Sequence, residues 1–229
     1  NDKDTGWQEF TKFAKDHFEK LKGSQGAGLR FLSESSSSPS LREVKDFVLK
    51  TFPQAKWHTW DAISQDNVLQ GAQLAFGQPV HTHYAFDKAD VVLAVDSDFL
   101  ALDPQSVSNT KKFSKKRHIS GTAGEMNRLY AVESHFSVTG AMADHRLRLQ
   151  SSRIGSLLAA VAKKLNVTAP GIDALAAKFR GDQKWVDAVA RDLEKNKGKS
   201  AVVVGARQPA AVHALGHLIN QALGNTEAV

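Results

Sequence analysis

Polar side chains gather at four places along the chain, each at the end of a short apolar run. Ser33, Glu34, Ser35, Ser36, Ser37 and Ser38 close the run that begins at Leu29. Asp96, Ser97 and Asp98 follow Val91–Val95, Ser134 and His135 follow Leu129–Glu133, and Gly205, Arg207 and Gln208 follow Ser200–Val204. Serine hydroxyls and helix N-terminal amides hold anions, and a carboxylate at Asp96 or Asp98 accepts hydrogen bonds from a ribose or a guanine edge. The chemistry on offer is that of a nucleotide cleft, with Ser35, Ser36, Asp96, Asp98 and Arg207 among its candidate contacts. The plain alternative is that loops meet water and that Ser and Asp cap helices.

Dedicated fingerprints do not accompany these residues. Gly26 and Gly28 precede the first apolar run, whereas a dinucleotide loop needs its glycines after a strand. There is no phosphate-loop lysine motif and no Gly-x-Ser-x-Gly elbow, so no catalytic set stands out. His213 and His217 have the i, i+4 spacing of a zinc helix, but Ala214 occupies the position of the catalytic glutamate. They flank an apolar stripe and are expected as helix-surface histidines. His81 and His83 lack an obvious third ligand, so no metal site is expected. Lys111, Lys112, Lys115, Lys116 and Arg117 form a basic stripe that is expected to be a solvated face. Only Phe113 is interleaved with it, which argues against a nucleic-acid platform.

The elements that must position these residues follow from periodicity. Five runs predict strands: Leu29 to Ser33, Lys56 to Trp60, Val91 to Val95, Leu129 to Glu133 and Ser200 to Val204. Helical stripes separate them. Examples are Leu41, Val44, Val48 and Phe52 with a Ser40/Glu43 capping box, and Trp7, Phe10, Ala14, His17 and Leu21 with a Thr5/Gln8 cap. Further stripes are Ile154, Leu157, Val161 and Leu165, and Val212, Leu215, Ile219 and Leu223. Alternation of this kind predicts an α/β fold, an open, mostly parallel Rossmann-like sheet of about five strands with helices on both faces. Strand order 2-1-3-4-5 is preferred over 3-2-1-4-5, although both obey the same rules. Residues 1–229 are expected to form one α/β domain.

With 41% apolar residues the chain can build an ordinary core, and no apolar run approaches the length that spans a bilayer, so no direct membrane insertion is expected. The net charge of +6 favours acidic partners without identifying one. The absence of cysteine excludes disulfides, thiolate zinc sites and iron-sulfur clusters held by this chain alone. The polar start at Asn1 and the end at Val229 suggest a piece of a longer protein.

The segments AFDKADVVLAVDSDFL, RLYAVES, SVTGAMADHRLRLQSSRIGSLLAAVA and GKSAVVVGARQPAAVHALGHLINQALG, in this order, resemble the molybdopterin oxidoreductase (dimethyl sulfoxide reductase-like) family. In that family a polar turn after a strand and a Thr-x-x-x-Ala-Asp segment line the nucleotide end of the cofactor. The resemblance places Asp96, Asp98, Thr139 and Asp144 in those stretches, within Val138 to Leu149 (VTGAMADHRLRL) for the last two. The family's Pro-Gly-Thr-Asp is replaced here by Gln150, Ser151, Ser152 and Arg153, and its Gly-x-Asn turn by Asp96, Ser97 and Asp98. A turn without glycine keeps a phosphate at a distance, and two carboxylates repel it. The expected site is therefore degenerate.

GLRFLSESSSSPSLRE, FPQAKWH, HYAFDKADVVL, MNRLY and TGAMADHRL are similar in particular to the molybdopterin-like half of the large iron-sulfur subunit of bacterial alternative complex III (quinol:cytochrome c oxidoreductase). The resemblance implies a non-catalytic domain without cofactor, carrying a vestigial molybdopterin guanine dinucleotide site, with iron-sulfur clusters elsewhere in the full subunit. It further implies other subunits of a membrane-bound respiratory complex as partners, no nucleic acid, and a place on the periplasmic side of the cytoplasmic membrane. Two other expectations stand beside the scaffold: half of a working pterin-guanine-dinucleotide site, and a free-standing binding module that uses the basic helix.

Overall fold

The computed structural model describes residues 6–117 and 126–229, and the chain divides into two compact units between Ala62 and Ile63. The first unit contains α1 (Trp7–Lys22), β1 (Arg30–Ser33), α2 (Pro39–Thr51) and β2 (Lys56–Thr59). β1 and β2 pair in parallel with Phe31 opposite Trp57, and the two rings stack at 4.9 Å. The expected Thr5 cap lies outside the described residues; the Gly6 amide donates to Glu9 Oε2 at 2.6 Å. α2 begins earlier than the Ser40/Glu43 box predicts. Pro39 takes the first helical turn, where its missing N–H costs nothing, and Ser38 caps the Leu41 amide. Neither helix has a buried residue.

The second unit contains α3 (Asp66–Phe76), β3 (Val91–Val95), α4 (Ser106–Ser114), β4 (Arg128–Glu133), α5 (Val138–Ala141) and β5 (His145–Arg148). It continues with α6 (Ser151–Lys164), α7 (Ile172–Ala176), α8 (Gln183–Lys195), β6 (Ser200–Val204) and α9 (Ala210–Ala222). Its four strands are all parallel, in the order β5-β4-β3-β6. The α/β class, the parallel pairing and helices flanking the sheet agree with the sequence expectation.

The arrangement of strands differs from it. There are six strands in two sheets among the described residues, and β3 lies between β4 and β6, which neither 2-1-3-4-5 nor 3-2-1-4-5 allows. The run VVLAV is buried at every residue, as a strand covered on both faces requires, and that places it inside the sheet rather than at an edge. Val91, Leu93 and Val95 face a core shared with Ile154, Leu157, Val189 and Ile219, while Val92 and Ala94 face Phe86, Phe99 and Phe113.

β6 is an edge strand whose outer backbone is covered by side chains. Asn220 accepts from the Val202 amide at 2.9 Å and donates to its carbonyl at 2.8 Å, as a neighbouring strand would. Asn225 Oδ1 accepts from the Gly198 amide at 3.1 Å and the Ser200 hydroxyl at 3.2 Å. Pairing with a foreign strand is thereby blocked.

Candidate functional site

β3, β4 and β5 step one way across the second unit's sheet, and β6 returns to the other side of β3. Such a switch point opens a crevice at the strand carboxyl ends, where ligands of open parallel sheets bind. Its two walls here are the loop at Asp96 and the loop at Gly205.

Asp96 has a φ of 53°, a left-handed conformation that aspartate tolerates better than most residues. Its Oδ1 accepts from the Ser134 amide at 3.3 Å and the Ser134 hydroxyl at 3.2 Å. Its Oδ2 accepts from Ser151 Oγ and from Gln208 Nε2, each at 2.9 Å. Gln208 is buried and also donates to Ser151 Oγ at 2.8 Å. A Cβ on Gly205 would lie 1.9 Å from the Asp96 carbonyl oxygen. Only glycine permits that approach. The two loops therefore touch across the crevice.

The next carboxylates are engaged in the same way. Asp98 Oδ1 accepts from the Thr139 amide at 2.9 Å and the Thr139 hydroxyl at 2.8 Å, and Thr139 Oγ1 accepts from the Leu100 amide at 3.2 Å. Thr139 is 0% exposed. Ser97 Oγ donates to Asp103 Oδ2 at 2.6 Å. Burial pushes the Asp103 carboxyl above its ordinary value, and the charge of Asp98 adds to that rise against the Ser97 hydroxyl. Arg207 is exposed in the loop after β6, near enough to Asp103 for its charge to oppose the rise.

Glu133, which sequence reasoning treated only as a strand residue, is part of this cluster and is 3% exposed. It accepts from Arg146 Nε at 2.6 Å and Ser137 Oγ at 2.5 Å. A Cβ on Gly140 would lie 1.8 Å from Glu133 Oε1. The available signal was a carboxylate closing the buried run RLYAVE, which demands a partner, and Arg146 in HRLR supplies it.

The remaining expected site residues lie elsewhere. Asp144 sits at the amino end of β4, where its Oδ2 accepts from the Leu129 amide at 2.7 Å and its carboxylate receives both arms of Arg117, at 2.9 and 2.6 Å. Burial works to raise the Asp144 carboxyl; Arg117 and the Leu129 amide outweigh it and hold the group below its ordinary value. Ser35 and Ser36 belong to the first unit. The Ser35 amide donates to Asp61 Oδ1 at 2.9 Å and its hydroxyl to Asp61 Oδ2, and Ser36 Oγ accepts from the Ser38 amide at 3.2 Å. The structure thus brings Asp96, Asp98 and Thr139 together with Ser134, Ser151, Gln208 and Glu133, and places Asp144 at the other end of the strands.

The basic stripe keeps Lys111 and Lys115 exposed, and much of it is paired: Lys115 with Asp87 at 3.0 Å, Lys116 with Asp90 and Arg117 with Asp144, while Lys112 Nζ donates to the Tyr84 carbonyl at 3.1 Å. Those acidic partners come from the segment before β3 and from the turn before β5, far away in sequence. His213 and His217 are not on the helix surface but 4% and 7% exposed, because α9 packs along α3. Neither Nε2 has a hydrogen-bond partner. Burial, with His217 close by, lowers the His213 imidazole to about 4, and burial lowers His217 as well. Among the described residues no three His, Cys, Asp or Glu side chains come together to hold a metal ion.

No protein-family model and no curated protein matches the sequence. Among solved structures the chain is similar to acetylene hydratase from Pelobacter acetylenicus, with a TM-score of 0.57 at 13% identity over 99% of this chain. That likeness is one of fold. The chain spans about a third of the neighbour's length, covering 33% of it.

The switch point does not fit the phosphates of a pterin dinucleotide. Phosphate sites present free backbone N–H groups and cations. This one presents Asp96, Asp98 and Glu133, its Ser134, Ser137 and Thr139 amides already donate to those carboxylates, and Gly205 lies against Asp96.

Proposed function

We propose that this chain is a molybdopterin-oxidoreductase-like domain that binds no cofactor and serves as a scaffold in a larger electron-transfer assembly. The observation that supports the reading is the switch point itself, where Ser151 and Gln208 both donate to the Asp96 carboxylate and Gly205 lies against the Asp96 carbonyl. The sequence resemblance supports the ancestry, and so does the fold likeness to acetylene hydratase, a molybdopterin-type enzyme.

The scaffold role is supported by the surface of the first unit. Trp7 is 82% exposed and Trp60 68%, and Phe10, Phe13, Leu32, Val44 and Phe47 are exposed with them. Apolar surface on this scale marks a protein contact. The partners in this reading are other subunits of a membrane-bound respiratory complex on the periplasmic side. Among the described residues no helix is long and apolar enough to cross a membrane.

Metal analysis and pterin extraction on the full-length subunit test the proposal. It predicts iron without molybdenum and without pterin. Stoichiometric molybdenum with a bound pterin would overturn it and favour half of a working site, with the loops at Asp96 and Gly205 opening in the intact protein.

A further inference from the structure

The two sheets of this chain treat their edges differently. β6 is shielded by Asn220 and Asn225, whose side chains occupy main-chain groups that an incoming strand would use. The β1–β2 sheet has no such cover. The Lys56 amide donates to the Leu29 carbonyl at 3.1 Å and the Trp60 amide to the Ser33 carbonyl at 3.0 Å, so Leu29, Phe31 and Ser33 turn their main-chain groups toward β2. In a ladder the alternate residues face the other way. The N–H and C=O groups of Arg30 and Leu32 therefore point out of the sheet, and among the described residues no strand or side chain bonds to them.

The usual protections of an exposed edge are missing from β1 as well. The strand reads RFLS, without lysine or proline, and Arg30 is turned back on its own chain, its Nη1 donating to the Leu29 carbonyl at 2.8 Å. Leu32 is 74% exposed. β2 differs, because it opens with Lys56 and closes with the polar Thr59.

Two strands make a marginal sheet alone, and parallel sheets are otherwise found with both faces covered. This pair is nevertheless pre-arranged: Phe31 stacks on Trp57, and Trp57 Nε1 donates to Ser33 Oγ at 3.0 Å. α1 and α2 bury no residue, and Phe10, Phe13, Val44 and Phe47 are exposed on them. Two strands of 4 residues each offer these helices too little surface, and a wider sheet supplies it.

We infer that the open β1 edge receives an extended polypeptide segment from outside these 229 residues, which joins the sheet beside Arg30 and Leu32. Main-chain hydrogen bonds recognise it, as in β-augmentation, and the segment is apolar and uncharged because it meets Leu32 and the bare stripes of the two helices. The inference deepens the scaffold reading by naming how the first unit makes its contact. Molybdenum and pterin do not enter it, so the two fail separately.

Residue-resolved hydrogen exchange on the 229-residue chain and on the full-length protein in its assembly tests it. The Leu32 amide is expected to exchange like a free peptide's in the first and about a hundredfold more slowly in the second. Leu32→Pro removes the outward donor without touching the ladder to β2, and is expected to leave the melting temperature of the 229-residue chain unchanged while abolishing its incorporation into the assembly. Leu32→Lys keeps the N–H and puts a charge on the edge; it is expected to weaken incorporation about tenfold, and it keeps the test valid if the proline variant fails to fold. A Leu32 amide equally fast in both forms, protection at Thr59 alone, protection of Leu32 in the 229-residue chain through self-association, or normal assembly of either folded variant overturns the inference.

Discussion

Replacing Asp96 by Asn separates a structural carboxylate from a functional one. Asparagine tolerates the left-handed backbone at this position, so the substitution leaves the main chain alone. It keeps one acceptor oxygen for Ser134 and turns the other into an amide N–H₂ facing Ser151 and Gln208, which both donate to it now. The Ser151 hydroxyl can rotate and accept. Gln208 cannot flip freely, since its Nε2 also donates to the Ser151 hydroxyl at 2.8 Å and to its carbonyl at 3.4 Å. One buried donor is therefore left facing another, at a cost of about 1–3 kcal/mol. For a chain of this size a loss of about 2 kcal/mol lowers the melting temperature by roughly 4–8 °C. Urea and thermal unfolding followed by circular dichroism read this directly. An unchanged or raised midpoint for Asp96→Asn would refute the reasoning, because a carboxylate kept for ligand binding is held at the expense of stability and its removal stabilises the fold.

Other perturbations reach the same packing and its electrostatics. Gly205→Ala forces a Cβ to within 1.9 Å of the Asp96 carbonyl and should cost about 3 kcal/mol or more by urea unfolding, whereas Gly28→Ala, with open space at its Cβ but a positive φ, should cost only about 1 kcal/mol. Arg117→Gln removes the group that holds Asp144 below its ordinary value. A carboxyl depressed in the folded state stabilises above its unfolded pKa and loses that contribution as pH falls through the folded pKa, so the variant's acid unfolding should begin at higher pH than the wild type's. His213 is depressed from 6.5 to about 4, so its neutral form stabilises the fold above pH 6.5 and that contribution erodes toward pH 4; an NMR titration should find His213 unprotonated at pH 5.5. A His213 signal with a midpoint near 6.5 would contradict its burial.

Where burial governs residue type, the sequence was informative. VVLAV and SAVVV are strands whose bounds follow from their apolar runs, and the stripes Ile154, Leu157, Val161 and Val212, Leu215, Ile219 face the core as their spacing requires. β5 escaped notice because HRLR has a single apolar residue: it is an edge strand, and its arginines serve Glu133 and the surface rather than a core. The opening stripe of α1 has the right period, yet its aromatic residues are exposed, since periodicity specifies a face and not what covers it. Of the polar residues at the strand ends, Asp96, Asp98 and Thr139 do cluster, while Asp144 goes to the opposite end of β4. A spacing of five residues cannot tell a loop from a helical turn followed by a strand, and α5 with the turn after it carries the chain back to the amino end of β4, where β5 starts parallel to it. The partners of the lysine stripe and the burial of the two histidines depend on contacts between distant segments, which no local pattern encodes.

The central claim is that the switch point between β3 and β6 is closed by Asp96, Ser151, Gln208 and Gly205 and does not accept a nucleotide. Calorimetric titration of the chain with guanosine diphosphate, the nucleotide end of the dinucleotide implied by the resemblance, tests it most directly. The account predicts no saturable heat up to millimolar ligand at low salt, where electrostatic attraction is strongest. Saturable binding that Gly205→Ala or Asp98→Ala weakens would contradict it.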